Sequence, residues 1–324
     1  MTERAVVEEL ALGRLGYGAA NVGNLYRAMS DDDAHAALEA AWDAGVRYFD
    51  TAPHYGLGLS ERRLGEFLRT KPRSEYVVST KVGRLLVPNR RGTGKLDLAA
   101  GFAVPATRRR VWDVTSAGVR RSLEESLERM GLDAVDIAYL HDPERFDLDR
   151  GLREGLPAVA ALRDDGLVRA VGVGSMVTAT LARAARSGLV DLLMVAGRYT
   201  LADTSAVVSV LPACRENGVR VVAAAVFNSG LTARNDPADS VRYDYGRTPP
   251  LLLTRVRRIA ALCAQHGVDL PTAALHYPLR NPLVASVVVG GGRPDQVRQN
   301  ADRMAAHVPD ALWADLVGAG LLAP

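Results

Sequence analysis

Asp50 closes the run Arg47-Tyr48-Phe49, Lys81 closes Tyr76-Val77-Val78-Ser79-Thr80, and His141 closes Val135-Asp136-Ile137-Ala138-Tyr139-Leu140, so three ionisable residues stand at the ends of β-forming stretches. Tyr55 lies beyond Asp50 and past Pro53, where a turn can bring its phenol back over the same place. A free tyrosine, with a pKa of about 10, is a poor acid at neutral pH. A nearby ammonium favours the phenolate and lowers that pKa, while a carboxylate paired with the ammonium keeps it charged and aimed. Asp50, Lys81 and Tyr55 can form this relay, and His141 adds a donor able to hold a carbonyl oxygen while Tyr55 delivers a proton. Side chains supply no hydride, so the arrangement implies a nicotinamide cofactor. Taken singly, each residue reads as well as a buried ion pair or a core histidine. Their shared position at strand ends is what favours chemistry. His54 can bond substrate hydroxyls or merely close the turn, and Trp112 can stack on a sugar or pyridine ring or half-pack in a loop.

Strand ends work together only if the fold gathers them. Short Val/Ile/Leu-rich runs, each returned by an amphipathic segment, require parallel pairing with both faces covered. Eight runs are legible, at residues 13–18, 46–51, 76–81, 135–141, 170–174, 192–196, 219–225 and 284–289, which is the count a closed barrel needs. Between them, Ser30 followed by Asp31 to Asp33 opens a helix that ends at Gly45, and Ser60 with Glu61 opens the next. Further helices are expected over 116–130, 155–165, 178–186, 204–217, 250–266, 271–279 and 294–304. A Rossmann sheet would carry G-x-G-x-x-G, but Gly16-Tyr17-Gly18 and Gly172-Val173-Gly174 both fail at the third glycine. The expectation is one α/β domain over residues 1–324, a (β/α)8 TIM barrel with long βα loops on its C-terminal face. The stretches 83–113 and 228–249 exceed ordinary loop length and would overhang that face.

Composition narrows the partners. Of 324 residues, 48% are hydrophobic and 24% charged, which excludes disordered and fibrous classes. Forty basic against 37 acidic residues give a net charge of +3 with the signs mixed, so a nucleic-acid partner is not expected. The run Arg108 to Arg110 reads as a solvated loop or a contact for an anionic ligand. Cys214 and Cys263 have no CxxC spacing and read as core thiols. The six histidines include no H-x-H or H-E-x-x-H pairing, so a metal-dependent hydrolase lacks its ligands and no metal is expected. Without a signal-like start or a membrane-length apolar stretch, the expected location is the reducing cytoplasm, with no membrane partner. Oligomeric state is left open. Gly290, Gly291 and Gly292 run into a helix start at Pro294, which makes either a phosphate site or a plain tight turn.

Phe49-Asp50-Thr51-Ala52-Pro53-His54-Tyr55-Gly56, then Ser60-Glu61, Ser79-Thr80-Lys81 and Leu140-His141, resembles the aldo-keto reductase superfamily, and the resemblance covers almost the whole chain. It implies that Asp50, Tyr55, Lys81 and His141 form a catalytic tetrad and that NAD(P)H lies extended across the barrel mouth. Leu15-Gly16-Tyr17-Gly18, Ala196-Gly197-Arg198-Tyr199-Thr200-Leu201 and Val226-Phe227-Asn228-Ser229-Gly230-Leu231 resemble the branch containing L-fucose, D-threo-aldose and pyridoxal dehydrogenases. That branch implies oxidation of a sugar hemiacetal or a similar small alcohol, with Tyr55 as base in oxidation and acid in reduction. The resemblance places cofactor contacts at Gly18, Ser175, Phe227, Asn228, Ser229, Gly230, Gly290, Gly291, Gly292, Arg293, Gln296, Gln299 and Asn300. Here Gly174-Ser175 stands for the usual Ser-Asn pair and Ala196 for the usual Gln, leaving Ser175 to substitute. The family's 2′-phosphate Lys and Arg align with Gly290 and Gln296, with Arg293 nearby, so NAD is favoured over NADP. A nicotinamide-binding regulatory subunit on the same barrel is the alternative.

Overall fold

A computed structural model describes residues 7–239, 241–244 and 246–323. Eight parallel strands close into a barrel: β1 (Leu15–Gly18), β2 (Tyr48–Asp50), β3 (Val77–Val82), β4 (Ile137–His141), β5 (Ala170–Ser175), β6 (Leu192–Ala196), β7 (Arg220–Ala224) and β8 (Val284–Val289). Tyr17 of β1 lies opposite Phe49 of β2 and Val289 of β8, and this double pairing shuts the ring and leaves no open edge. All eight expected runs are strands of the barrel.

The helices are α1 (Asp31–Asp43), α2 (Leu59–Leu68), α3 (Ser116–Met130), α4 (Leu148–Asp164), α5 (Thr178–Ala185), α6 (Ala206–Glu216), α7 (Pro250–Gln265), α8 (Leu270–His276), α9 (Pro294–Ala305) and α10 (Asp310–Gly318). Ser30 and Asp33 form a capping box on α1, each side chain taking a backbone N–H of the other. Ser60 does not cap α2. Gly58, at φ +91°, holds that position, and Ser60 is buried with its hydroxyl on the Ala19 carbonyl at 2.7 Å and on Thr51 Oγ1 at 2.8 Å. Helix α4 starts at Leu148 rather than near residue 155, because Asp147 caps it and Gly151 and Gly155 are interior contact points. A Cβ at Gly155 would come within 2.8 Å of Leu140 in β4, so glycine there lets the helix lie close on the strand. Helix α8 stops at His276, and a short 3-10 turn, Pro278–Arg280, follows. Helix α10 was not among the expected elements.

The stretch 83–113 is not a plain loop. Arg84–Pro88 and Arg108–Trp112 pair as an antiparallel hairpin with Arg84 opposite Trp112, so the basic run lies in a strand. The insertion is tied back to the β1 side by Asn24, whose carbonyl accepts from the Ala103 N–H and whose side chain donates to the Ala103 carbonyl. In the stretch 228–249, a small hairpin joins Arg242–Tyr243 to Gly246–Arg247. Cys214 and Cys263 are buried free thiols, each pushed up to about 12 by burial and so poorly nucleophilic.

At the lower end of the barrel, Val7, Leu10 and Leu12 pack with Val77, Ile137, Ala170 and Leu192, residues at or near the starts of their strands. The segment ahead of β1 therefore plugs the bottom. Each fully buried Leu or Val of this layer contributes about 1.5–3 kcal/mol relative to exposure. The upper end stays free for chemistry.

Candidate active site

Asp50, Lys81 and His141 sit at the upper ends of β2, β3 and β4, and the turn after β2 carries His54 and Tyr55. Lys81 Nζ donates to Asp50 Oδ2 at 2.6 Å and to the Thr51 carbonyl at 3.0 Å, and lies 4.8 Å from the centre of the Tyr55 ring. The Tyr55 and His141 rings meet edge to face with centroids 6.1 Å apart. All four residues that sequence singled out for the relay are thus brought together.

Burial opposes the Lys81 ammonium, but the Asp50 carboxylate and Tyr55 outweigh it and hold the amine above its ordinary range. For Tyr55 the balance differs from the sequence expectation. Burial pushes the phenol up, Lys81 pulls it down, Asp50 pushes it up again, and the result is above the usual tyrosine value. The lysine acts in the expected direction but does not win, because the site is shielded from water as well as charged. His141 is driven well below its usual value by burial and then by Arg84 and Lys81, and its Nδ1 is buried without a partner. His54 falls to about 2 through burial and then Arg110 and Arg84, and its Nδ1 is likewise unpartnered. Both imidazoles are neutral, so each offers one N–H donor and one acceptor.

The hairpin supplies groups the sequence reading missed, Arg84 and Phe102, and gives Arg110 and Trp112 partners within the protein. Arg84 donates to Asp142 at 2.5 Å, beside His141. Arg110 forks onto Asp97 and donates to the His54 carbonyl at 2.7 Å. Phe102, nearly fully buried, meets His54 edge-on at 5.4 Å between centroids and lies 6.2 Å from the Tyr55 ring. Trp112, half-buried, stacks on Phe146 and takes the Arg84 guanidinium at 4.3 Å from its ring centre. Its ring already has protein partners, which makes it part of the hairpin's attachment. The signal available in the sequence was the polar and aromatic content of a stretch adjoining Lys81.

The pattern of the aldo/keto reductase family matches residues 14–319 of the chain. The chain belongs to the aldo/keto reductase family. It is an oxidoreductase, of a family that works with nicotinamide cofactors on small molecules. It is 58% identical to the D-threo-aldose 1-dehydrogenase of Pseudomonas sp over 98% of this chain and 97% of that protein. It is 36% identical to the pyridoxal 4-dehydrogenase of Microbacterium luteolum, over 97% and 98%. Among solved structures, the glycerol dehydrogenase of Gluconobacter oxydans superposes with a TM-score of 0.74 at 21% identity, covering 96% of this chain and 92% of that one, which speaks to the shared barrel.

In this aldo/keto reductase the residues expected at the cofactor divide into three places. Gly18 ends β1 and lies against Gly290, where a Cβ would come 3.6 Å from the Gly290 nitrogen. Gly290 to Gly292 lead into α9, whose cap position is Arg293 with no side-chain cap. The Gly292 N–H is taken by Gln296 Oε1 at 3.1 Å, Arg293 is exposed and paired with Asp295, Gln299 is exposed and Asn300 is buried. Phe227 to Gly230 form a tight turn after β7, with Asn228 at φ 44° and Ser229 at φ 59°, left-handed values that non-glycine residues seldom hold. Asn228 donates to the Gly197 carbonyl while its Oδ1 is buried without a partner. Ser175, at the end of β5, donates to Glu144 at 2.7 Å, and Glu144 Oε2 is buried and unpartnered. Two orphaned acceptors, one after β4 and one after β7, together with a glycine turn after β8, suit a group that brings N–H donors and phosphate, as a nicotinamide dinucleotide does. Glu144 had not been expected, since nothing marks it in the short turn after His141.

Proposed function

We propose that this chain is an aldose 1-dehydrogenase, a single-domain enzyme that oxidises the anomeric carbon of a sugar hemiacetal and runs in reverse on related small aldehydes. The observation that carries the reading is the buried Lys81 ammonium held between the Asp50 carboxylate and the Tyr55 phenol. The likeness to D-threo-aldose 1-dehydrogenase supports the substrate class. A bound nicotinamide cofactor supplies the hydride acceptor or donor. Tyr55 takes the hydroxyl proton as the hemiacetal becomes a lactone and returns one to the carbonyl oxygen in reduction. Lys81 stabilises the phenolate and Asp50 keeps Lys81 charged. Neutral His141 hydrogen-bonds the reacting oxygen, and His54, equally neutral, bonds a neighbouring sugar hydroxyl. Because Tyr55 rests protonated, oxidation quickens as pH rises toward its pKa, whereas reduction is favoured at lower pH.

NAD is the preferred cofactor in this reading. Arg293 in the glycine turn has its guanidinium engaged by Asp295, a carboxylate that would repel a 2′-phosphate. Ser175, Glu144 and Asn228 would hold the carboxamide end, and Gly290 to Gly292 with the start of α9 the phosphates. The two buried free thiols accord with a cytoplasmic location.

The test pairs binding with turnover. Tyr55→Phe is expected to bind NAD with unchanged affinity in a fluorescence titration and to oxidise fucose, galactose or arabinose at least about a hundredfold more slowly. Undiminished turnover would remove Tyr55 from the chemistry. Tight NAD binding by the unaltered protein with no turnover across aldoses, pyridoxal and simple aldehydes would instead favour a regulatory subunit.

A further inference from the structure

The three strands that carry Asp50, Lys81 and His141 at their upper ends each hold a hydroxyl two residues earlier: Tyr48, Ser79 and Tyr139. Side chains alternate along a strand, so each of these lies on the same side as its ionisable neighbour, one layer deeper in the barrel. All three are completely buried. Their hydroxyls are linked. Tyr139 Oη is 3.2 Å from Tyr48 Oη, Tyr48 Oη is 3.1 Å from Ser79 Oγ, and Ser79 Oγ is 2.7 Å from Asp50 Oδ1. The other carboxylate oxygen, Oδ2, holds Lys81.

The chain has one possible polarity. A hydroxyl has a single proton and an ionised carboxylate only accepts. Ser79 therefore donates to Asp50, which obliges it to accept from Tyr48, which in turn accepts from Tyr139. Three O–H dipoles are aligned on one carboxylate, and such chains polarise one another. Burial pushes both phenols far above their ordinary range, so they remain donors at any working pH. The barrel makes room for the Tyr48 ring: a Cβ at Gly16 would come within 2.7 Å of it, and glycine, which weakens a strand, stands there.

We propose that Ser79, Tyr48 and Tyr139 are positioning residues, a one-way hydroxyl chain that holds the Asp50 carboxylate turned toward Lys81 and through Lys81 sets the proton affinity of Tyr55. The inference rests on the acid–base role of Tyr55 proposed above. Removing the Ser79 hydroxyl leaves Oδ1 buried without a donor. The carboxylate charge then falls more fully on Lys81, the ammonium stabilises the phenolate less, and Tyr55 becomes harder to deprotonate. The effect weakens with distance, from Ser79 to Tyr48 to Tyr139.

The experiment measures kcat/KM for aldose oxidation against pH in the unaltered enzyme and in Ser79→Ala, Tyr48→Phe, Tyr139→Phe and Tyr55→Phe, with NAD affinity and Tm for each. Ser79→Ala is expected to move the alkaline rise upward by about half to one pH unit, a charge-assisted hydrogen bond being passed on in part. At pH 8 this reads as a loss of roughly three- to tenfold that recovers at higher pH. Tyr48→Phe should shift it less and Tyr139→Phe least, with NAD affinity unchanged in all three. The two Phe variants keep their rings and carry the test should Ser79→Ala fail to fold. A pH profile unmoved in folded Ser79→Ala and Tyr48→Phe, or shifts that follow Tm instead of chain order, would overturn the inference. Full turnover in Tyr55→Phe would remove the acid–base reading beneath it, whereas an inactive Tyr55→Phe beside unmoved profiles would remove the hydroxyl chain alone.

Discussion

Replacing Asp50 by asparagine removes the countercharge of a lysine that has nowhere else to put its own. Lys81 and Asp50 are each 3% exposed, and their contact is 2.6 Å. Breaking a buried ion pair by deleting one partner costs about 3–5 kcal/mol, because the remaining charge is stranded. Lys81 keeps the Thr51 carbonyl at 3.0 Å and the Tyr55 ring at 4.8 Å. The new amide oxygen can also accept from it if the NH2 turns to Ser79 and reverses the hydroxyl chain. The lower end, about 3 kcal/mol, is therefore expected. With an unfolding entropy of about 2.1 cal/mol/K per residue over 324 residues, that is a drop in Tm of about 4 °C at pH 7. The pH dependence is the sharper readout. In the unaltered protein Lys81 is held above its ordinary value, so its contribution is complete below the unfolded pKa of about 10.4 and fades only as pH rises through the higher folded value. In Asp50→Asn burial is no longer opposed by a carboxylate, and the folded pKa falls below the unfolded one. The unfolded chain then binds more protons, so the variant gains stability as pH rises toward about 10.4. Thermal melts of both proteins from pH 7 to 10 should show the gap closing. A constant or widening gap would refute the claim that a stranded ammonium causes the loss.

Three further outcomes follow from the same geometry. His54, at about 2, and His141, well below its usual range, should not titrate between pH 5 and 8, and NMR should show the imidazole C–H protons of these two flat across that span. Leu10→Ala opens a void in the plug beneath the barrel and should cost about 2–5 kcal/mol in denaturant unfolding while NAD affinity holds. Asp295→Ala frees the Arg293 guanidinium and removes a negative charge from the glycine turn, so NADP affinity should rise about three- to tenfold against NAD in parallel titrations.

What was legible in the sequence, and what was not, follows from the range of the forces involved. Strands buried on both faces read as near-continuous apolar runs, so all eight could be found without any tertiary knowledge, and α1 announced itself through Ser30 and its three aspartates. The hairpin at Arg84–Pro88 and Arg108–Trp112 was hidden because its second strand opens on three exposed or half-buried arginines, and its first, with Leu85 and Leu86 buried, is parted from the barrel strand before it by Gly83 alone. Helix α4 was cut short because Gly151 and Gly155 resemble stop signals, although Gly155 is there for the approach of Leu140. Ser60 resembled a cap, yet its hydroxyl joins Thr51 to Ala19 across elements. At the site, the sequence pointed to Asp50, Tyr55, Lys81 and His141 but not to Glu144 or Arg84, whose places depend on a turn and a hairpin that local patterns do not fix.

The deeper polar layer was within reach of the sequence, since Tyr48-x-Asp50, Ser79-x-Lys81 and Tyr139-x-His141 repeat one spacing on three strands and a period of two puts each pair on one side. It escapes notice because tyrosine passes for apolar in a strand run. Its physical importance comes from what lies beneath it. Below the hydroxyls the barrel holds Val7, Leu10, Val77 and Ile137, a layer with no charge and little polarisability to answer Asp50. In such surroundings fields are weakly screened, so a carboxylate, an ammonium and three oriented hydroxyls govern the potential at Tyr55 more strongly than they would in water. The same shielding that lifts the phenol above its ordinary value therefore gives these few groups control over it, and a change of one hydroxyl a layer down becomes readable in the pH dependence of turnover.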